Sequence, residues 1–87
     1  NEYEVFTNNF QHMFWNLSET DYLKFRLGLM DENIWQSRYS IMKRVKSREG
    51  TTNRQCIIRE RAWTTKKRQL DTEFIKLIEA IPSRDCN

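Results

Sequence analysis

The sequence predicts an all-α fold, a compact bundle of three to four helices. Three observations carry this expectation. Only 2 Gly and 1 Pro interrupt 87 residues, so turns are few and helices long. Apolar side chains recur at steps of three and four along most of the chain, which is the period of a helix face. Two segments also open with the same capping signal, an apolar residue, an Asp, a polar first turn and two apolar residues: Met30-Asp31-Glu32-Asn33-Ile34-Trp35 and Leu70-Asp71-Thr72-Glu73-Phe74-Ile75. The expected organisation is one helical domain over residues 1–81, followed by a frayed tail over 82–87.

The first helix is expected from about Tyr3. Phe6, Phe10, Met13, Phe14 and Leu17 make an aromatic stripe along it. Ser18 has the makings of an N-cap, with Asp21 reaching back and Leu17 stapled onto Tyr22. Yet Leu17, Asp21, Lys24 and Phe25 keep the helical register of the stripe, so residues 3–27 read as one long helix, with two helices bent near Ser18 as the alternative. Gly28 ends the run, because glycine accepts the left-handed conformation of a C′ position. Asp31 caps the second helix, whose stripe is Ile34, Trp35, Arg38, Tyr39, Met42 and Val45. Its last turns carry Lys43, Arg44, Lys46 and Arg48, where cations suit the macrodipole.

The stretch Glu49-Gly50-Thr51-Thr52-Asn53 reads as a loop, with Thr51 or Thr52 capping a third helix that runs to about Gln69. Asp71 caps a fourth helix with Phe74, Leu77, Ile78 and Ile81 on one face, and Pro82 stops it. The expected core is Phe6, Phe10, Met13, Phe14, Leu17, Phe25, Leu29, Trp35, Tyr39, Met42, Trp63, Phe74, Leu77, Ile78 and Ile81. In this reading the first helix packs its aromatic stripe against the second and fourth. The alternative for the stripe is a self-association face, which a small domain often needs for stability.

Charge is distributed unevenly. Residues 1–37 hold six acidic against two basic residues, 38–68 hold two against eleven, and 69–87 hold four against two. The central segment is the best candidate for an anion-binding surface: Arg38, Lys43, Arg44, Lys46, Arg48, Arg54, Arg59, Arg61, Lys66, Lys67 and Arg68. Tyr39 and Trp63 lie within it and would stack on bases if exposed. Nucleic-acid phosphates and anionic lipid headgroups are the ligands such a surface takes. Its plainer reading is a pair of solvated helix faces. No RNP, zinc-finger or basic-zipper pattern accompanies it. The roughly five-residue loop between the second and third helices is longer than a helix-turn-helix uses.

Signals for catalysis are weak. His12 is the single histidine, has no nucleophile motif around it, and reads as a surface or packing residue. The carboxylates sit at helix starts and flanks, where capping explains them. Two glycines cannot build a phosphate loop, and two Cys with one His cannot fill a structural zinc site without carboxylates. Cys56 and Cys86 read as free thiols, with a disulfide as the alternative, and so lean towards a reducing compartment. Asn16-Leu17-Ser18 matches the glycosylation sequon and is read as chance. No enzymatic activity, cofactor, metal or small-molecule substrate is expected.

The run Phe25-Arg26-Leu27-Gly28-Leu29-Met30-Asp31-Glu32-Asn33-Ile34-Trp35, with Ala62-Trp63-Thr64-Thr65-Lys66-Lys67-Arg68-Gln69-Leu70-Asp71-Thr72-Glu73-Phe74-Ile75 behind it, resembles a pattern in a family of uncharacterised bacterial membrane-anchored proteins. Those have a short N-terminal transmembrane helix followed by a small helical domain. Where members carry a proline-glycine turn before the third helix, this chain has Glu49-Gly50-Thr51. The resemblance implies no activity. It implies an N-terminal anchor outside this chain, a cytoplasmic soluble domain, and a basic segment facing anionic lipid. The function expected is a non-catalytic accessory or interaction domain that associates with a protein partner or itself. The alternative is a nucleic-acid-binding helical module using residues 38–68.

Overall fold

The computed structural model describes residues 1–86 and is an all-α bundle of four helices, α1 (Glu2–Arg26), α2 (Glu32–Ser47), α3 (Asn53–Lys66) and α4 (Thr72–Glu79), with one turn of 3-10 helix at Lys67–Gln69. Each start is capped as its sequence requires. Asn1 Oδ1 accepts the Glu4 N–H, Asp31 accepts from Asn33, Thr52 and Gln55 form a capping box, and Asp71 accepts from Glu73 and Phe74. α1 is continuous through Ser18 and so spans the 40 Å length of the molecule. It stops at Gly28, φ 76°, where the Leu29 N–H reaches back to the Lys24 carbonyl at 2.9 Å in a Schellman-type closure.

The helices run up, down, up and down. Phe25 stacks on Trp35 at 5.0 Å and Asp21 pairs with Arg38, which sets α2 antiparallel to α1. Arg54 reaches Asn1 and Glu4, and Trp63 meets Trp15, so α3 runs parallel to α1. α4 starts beside α1, where the Asp71 N–H donates to Glu19, and descends until the Ile81 carbonyl meets Lys46.

The core is built around three tryptophans. Trp15, Trp35 and Trp63 are buried with Met42, Leu70, Phe74, Ile78 and Ile81. Trp15 lies 4.7 Å from Trp63 and 6.4 Å from Phe74, and Tyr22 joins Phe74 to Trp35 at 5.5 and 5.8 Å. Side chains this large each bury roughly 150–250 Å², which is how a short chain assembles enough apolar area.

The structure departs from several expectations. Phe6, Phe10, Met13, Leu17 and Leu29, expected in the core, are exposed. α1 packs mainly on α3 and then on α2, through Gln11, Trp15 and Ser18, and of its aromatic stripe only Phe14 packs against the core. The cysteines are not free thiols: Cys56 and Cys86 are joined in a disulfide. With the thiols goes the reason for a reducing compartment, since such bonds persist in oxidising ones.

Residues 83–86 are also tied down rather than frayed, while Asn87 lies outside the described residues. The physical reason is the exposed C-terminus of α2, whose last carbonyls lack helical partners. The Ser83 hydroxyl donates to the Lys46 carbonyl at 2.8 Å, the Arg84 N–H to Ser47 at 2.9 Å, and Arg84 Nε to Arg48 at 3.2 Å. The disulfide then fixes the end of this clasp to α3.

Candidate interaction face

α1 carries two apolar seams. The inner one, Gln11-Trp15-Ser18-Tyr22-Phe25, faces the core, with Trp15 1%, Gln11 3% and Ser18 4% exposed. The outer one, Tyr3-Phe6-Phe10-Met13-Leu17, advances by three and four residues in turn, the spacing of a coiled-coil seam. It is open to solvent, with Phe6 72% and Leu17 60% exposed. At 3.6 residues per turn the two lie roughly 120–150° apart around the helix.

The outer seam has a second property. From Val5 to Ser18, 14 residues, α1 has no Asp, Glu, Lys or Arg, although 31% of the chain is charged. Solvated helix faces carry charges. Aromatics and methionine with charge excluded are the composition of an interface centre.

Two larger hollows border the seam, beside a smaller one of about 130 Å³ between Leu17 of α1 and Arg38 and Ile41 of α2. One of about 290 Å³ lies between Phe6, Asn9, Phe10 and Met13. The other, of the same size, runs from Tyr3, Phe6 and Phe10 down to Gln11 of α1 and to Gln55 and Arg59 of α3. Gln11 Oε1 is buried and has no hydrogen-bond partner among the described residues. Beyond Arg59 a wider depression of about 530 Å³ opens between α2 and α3, walled by Ile41, Arg44 and Val45. Tyr3, at the start of the seam, lies under the Arg54 guanidinium at 4.4 Å.

The structure distributes the eleven basic residues among three situations. Lys46, Arg48 and Lys66 are buried, which removes them from any anion-binding surface. Their long apolar stems explain this, since they pack inside while the charged heads find partners. Lys46 Nζ donates to Ser83 Oγ at 2.7 Å and pairs with Glu79 at 3.9 Å, Arg48 pairs with Glu60 at 3.3 Å, and Lys66 donates to Gln69. Arg38, Arg54 and Lys67 are engaged with Asp21, Glu4 and Glu79, and Lys43 lies over the Tyr39 ring. Arg44 and Arg59 border the depression between α2 and α3, Arg61 borders a separate hollow with Val5 and Ile58, and Arg68 follows α3. Trp63 is in the core and Tyr39 is stacked on Trp35.

The Lys46–Glu79–Lys67 cluster supports the fold. Burial pushes the Lys46 ammonium below its ordinary pKa, aided by Arg48 and Lys67, and the Glu79 charge recovers only part of the drop. For Glu79, burial raises the pKa, but the Lys67 hydrogen bond and charge, the nearby Trp63 indole and the Lys46 charge outweigh it, so its carboxyl titrates below 4.5. The Trp63 indole N–H makes no hydrogen bond of ordinary geometry and acts on Glu79 as a nearby dipole. His12 is half-buried on α1. No group of three or more His, Cys, Asp or Glu gathers as metal ligands among the described residues. Likewise, no described helix is long and apolar enough to cross a membrane.

Comparison with known proteins returns no family model, no curated protein and no solved structure that matches this chain. The sequence singled out the stripe of α1 and held its exposure only as the alternative to a core position, and it did not single out Gln11 and Gln55 beside it. The uncharged run from Val5 to Ser18 was the available signal.

Proposed function

We propose that this chain is a non-catalytic helical interaction domain whose partner docks on the outer seam of α1. The observation that supports this reading is the exposed, charge-free row of Phe6, Phe10, Met13 and Leu17 on a helix already anchored to its own core by another face. Exposed apolar rows of this kind cost solubility and are kept where something covers them. The helix presents them on a rigid, uninterrupted scaffold, as helix-in-groove and helix-on-helix recognition require. The basic residues of 38–68 serve this reading mainly as struts and ion pairs, with Arg44 and Arg59 left at the rim.

The test is site-specific photo-crosslinking in the protein's own cells. A benzoylphenylalanine replaces Phe10 in one variant and Thr64, on the exposed side of α3, in another. Discrete protein adducts from position 10 and none from position 64 are expected. Adducts from neither position, or equally from both, contradict a docking face on α1.

A further inference from the structure

We infer that the occupant of the outer seam is a second copy of this chain, paired α1 to α1 in antiparallel orientation. The inference rests on the docking face proposed above and names what covers it. Three features of the seam point to self-pairing.

The first is charge. A surface that meets its own copy meets its own charges, so a seam of one sign repels itself. The outer seam avoids this along α1, which has no Asp, Glu, Lys or Arg between Val5 and Ser18, and the charges at its rim, Arg54 and Arg59 of α3, lie beside its N-terminal half only. An unlike partner imposes no such restriction and is commonly matched by charges at the rim.

The second is spacing. Tyr3, Phe6, Phe10, Met13 and Leu17 alternate steps of three and four, so two such seams interlock as knobs and holes. In an antiparallel pair the two kinds of seam position face one another. Phe10 then lies opposite Met13 of the second copy, and Phe6 opposite its Leu17. The two-fold axis passes between Phe10 and Met13. Asn9 faces Asn16 across one flank, and Thr7 faces Phe14 across the other. Parallel pairing instead aligns both macrodipoles. α3 flanks the seam through Arg54, Gln55 and Arg59, and α2 borders its Leu17 end through Arg38 and Ile41, while Phe6, Phe10, Met13 and Leu17 stay half or more exposed between them.

The third is area. With side chains of roughly 200 Å² each, the exposed portions of Phe6, Phe10, Met13 and Leu17 amount to about 450 Å² per chain. Full burial on both chains removes about twice that, and with Tyr3, Asn9 and Asn16 the total reaches the ~1,000 Å² that a specific interface has to clear.

Sedimentation equilibrium of the purified chain, from about 1 to about 500 µM, tests this. The expected result is a reversible shift from one chain mass to two. Phe10→Glu and Met13→Glu should each weaken the association at least about thirtyfold, with an unchanged helical signal and unfolding midpoint in dilute solution. Orientation is read with one added cysteine per chain, the Cys56–Cys86 bond being kept intact. A mixture of Asn9→Cys and Asn16→Cys chains should form a disulfide-linked pair on mild oxidation, and each variant alone should not. In an antiparallel pair two copies of position 9 sit about seven residues, or about 10 Å, apart, beyond disulfide reach. A monomer at every concentration, or rapid cross-linking of Asn9→Cys alone, overturns the inference. If the chain stays monomeric while the photo-crosslinker at position 10 captures a different protein, the second copy is wrong and the docking face stands. If both are silent, both are wrong.

Discussion

The inner face of α1 presents Gln11, Trp15, Ser18, Tyr22 and Phe25 to the core, whereas the outer face presents Phe6, Phe10, Met13 and Leu17 to water. By side-chain hydropathy alone the outer face is the more suitable core. The inner one is buried because it runs further. The outer seam is apolar only as far as Leu17 and continues into Thr20 and Lys24, while Tyr22 and Phe25 extend the inner one to meet Trp35 near the start of α2, on which Tyr39 is stacked in turn. Trp15 decides the other half by seating between Trp63 and Phe74. Gln11 and Ser18 are carried inside with it. Local apolar density marks a sticky face, and the match along the whole bundle decides which sticky face is internal.

The largest effect expected from this contrast is Trp15→Ala, which should cost about 3–5 kcal/mol of stability. Phe6→Ala, on the outer face, should stay within about 0.5 kcal/mol. Guanidinium unfolding of dilute protein checks both, and comparable losses at the two positions would erase the distinction between the faces.

Next is the disulfide. Cys56 and Cys86 are separated by 30 residues, and a loop of that length contributes about 3.5 kcal/mol in the chain-entropy description. Reduction, or Cys86→Ser, should lower the unfolding midpoint by a corresponding amount and expose the backbone amide of Arg84 to hydrogen exchange. The outer seam lies away from the clasp, so self-association below the melting temperature should persist. Its loss on reduction would place the tail in the interface.

A smaller change of opposite sign is expected at Gln11. Its buried, unpartnered oxygen lowers stability, so Gln11→Leu should raise it by about 1 kcal/mol. A lower thermal midpoint would mean that the amide is satisfied.

The smallest effect is acid dependence. Because the Glu79 pKa is depressed on folding, its stabilising share is present above 4.5 and disappears as pH falls through the folded value. Glu79 is 38% exposed and screened by solvent, so the effect is modest. Glu79→Gln should flatten the fall in melting temperature below pH 5 by a measurable fraction. An unaltered pH profile would show that the cluster with Lys46 and Lys67 carries no linkage.

Much of the fold was legible in the sequence. Asp31, Asp71, Gly28 and Thr52 are local signals, and each acts within a few residues of where it stands. The burial of Trp35, Met42, Trp63, Phe74 and Ile78 also followed from helical spacing. What was not legible depends on contacts between distant parts of the chain. The choice between the two seams of α1 depends on α2, α3 and α4 together. The Cys56–Cys86 bond and the Ser83–Arg84 clasp join the tail to α2 and α3, and no local pattern encodes those pairings. The basic run misled for a related reason. Lys46, Arg48 and Lys66 are consecutive in composition with their neighbours but point inward, and a charge count along the chain does not record direction.

The most direct test of the outward-facing seam is solvent accessibility of the phenylalanine rings in dilute solution, where self-association is negligible. Ring protons are observed by NMR with a soluble paramagnetic agent added. Phe6 and Phe10 should broaden strongly and Phe74 hardly at all. Protection of Phe6 and Phe10 equal to that of Phe74 would mean that α1 buries its outer seam in its own core, and the account of an interaction face would be wrong.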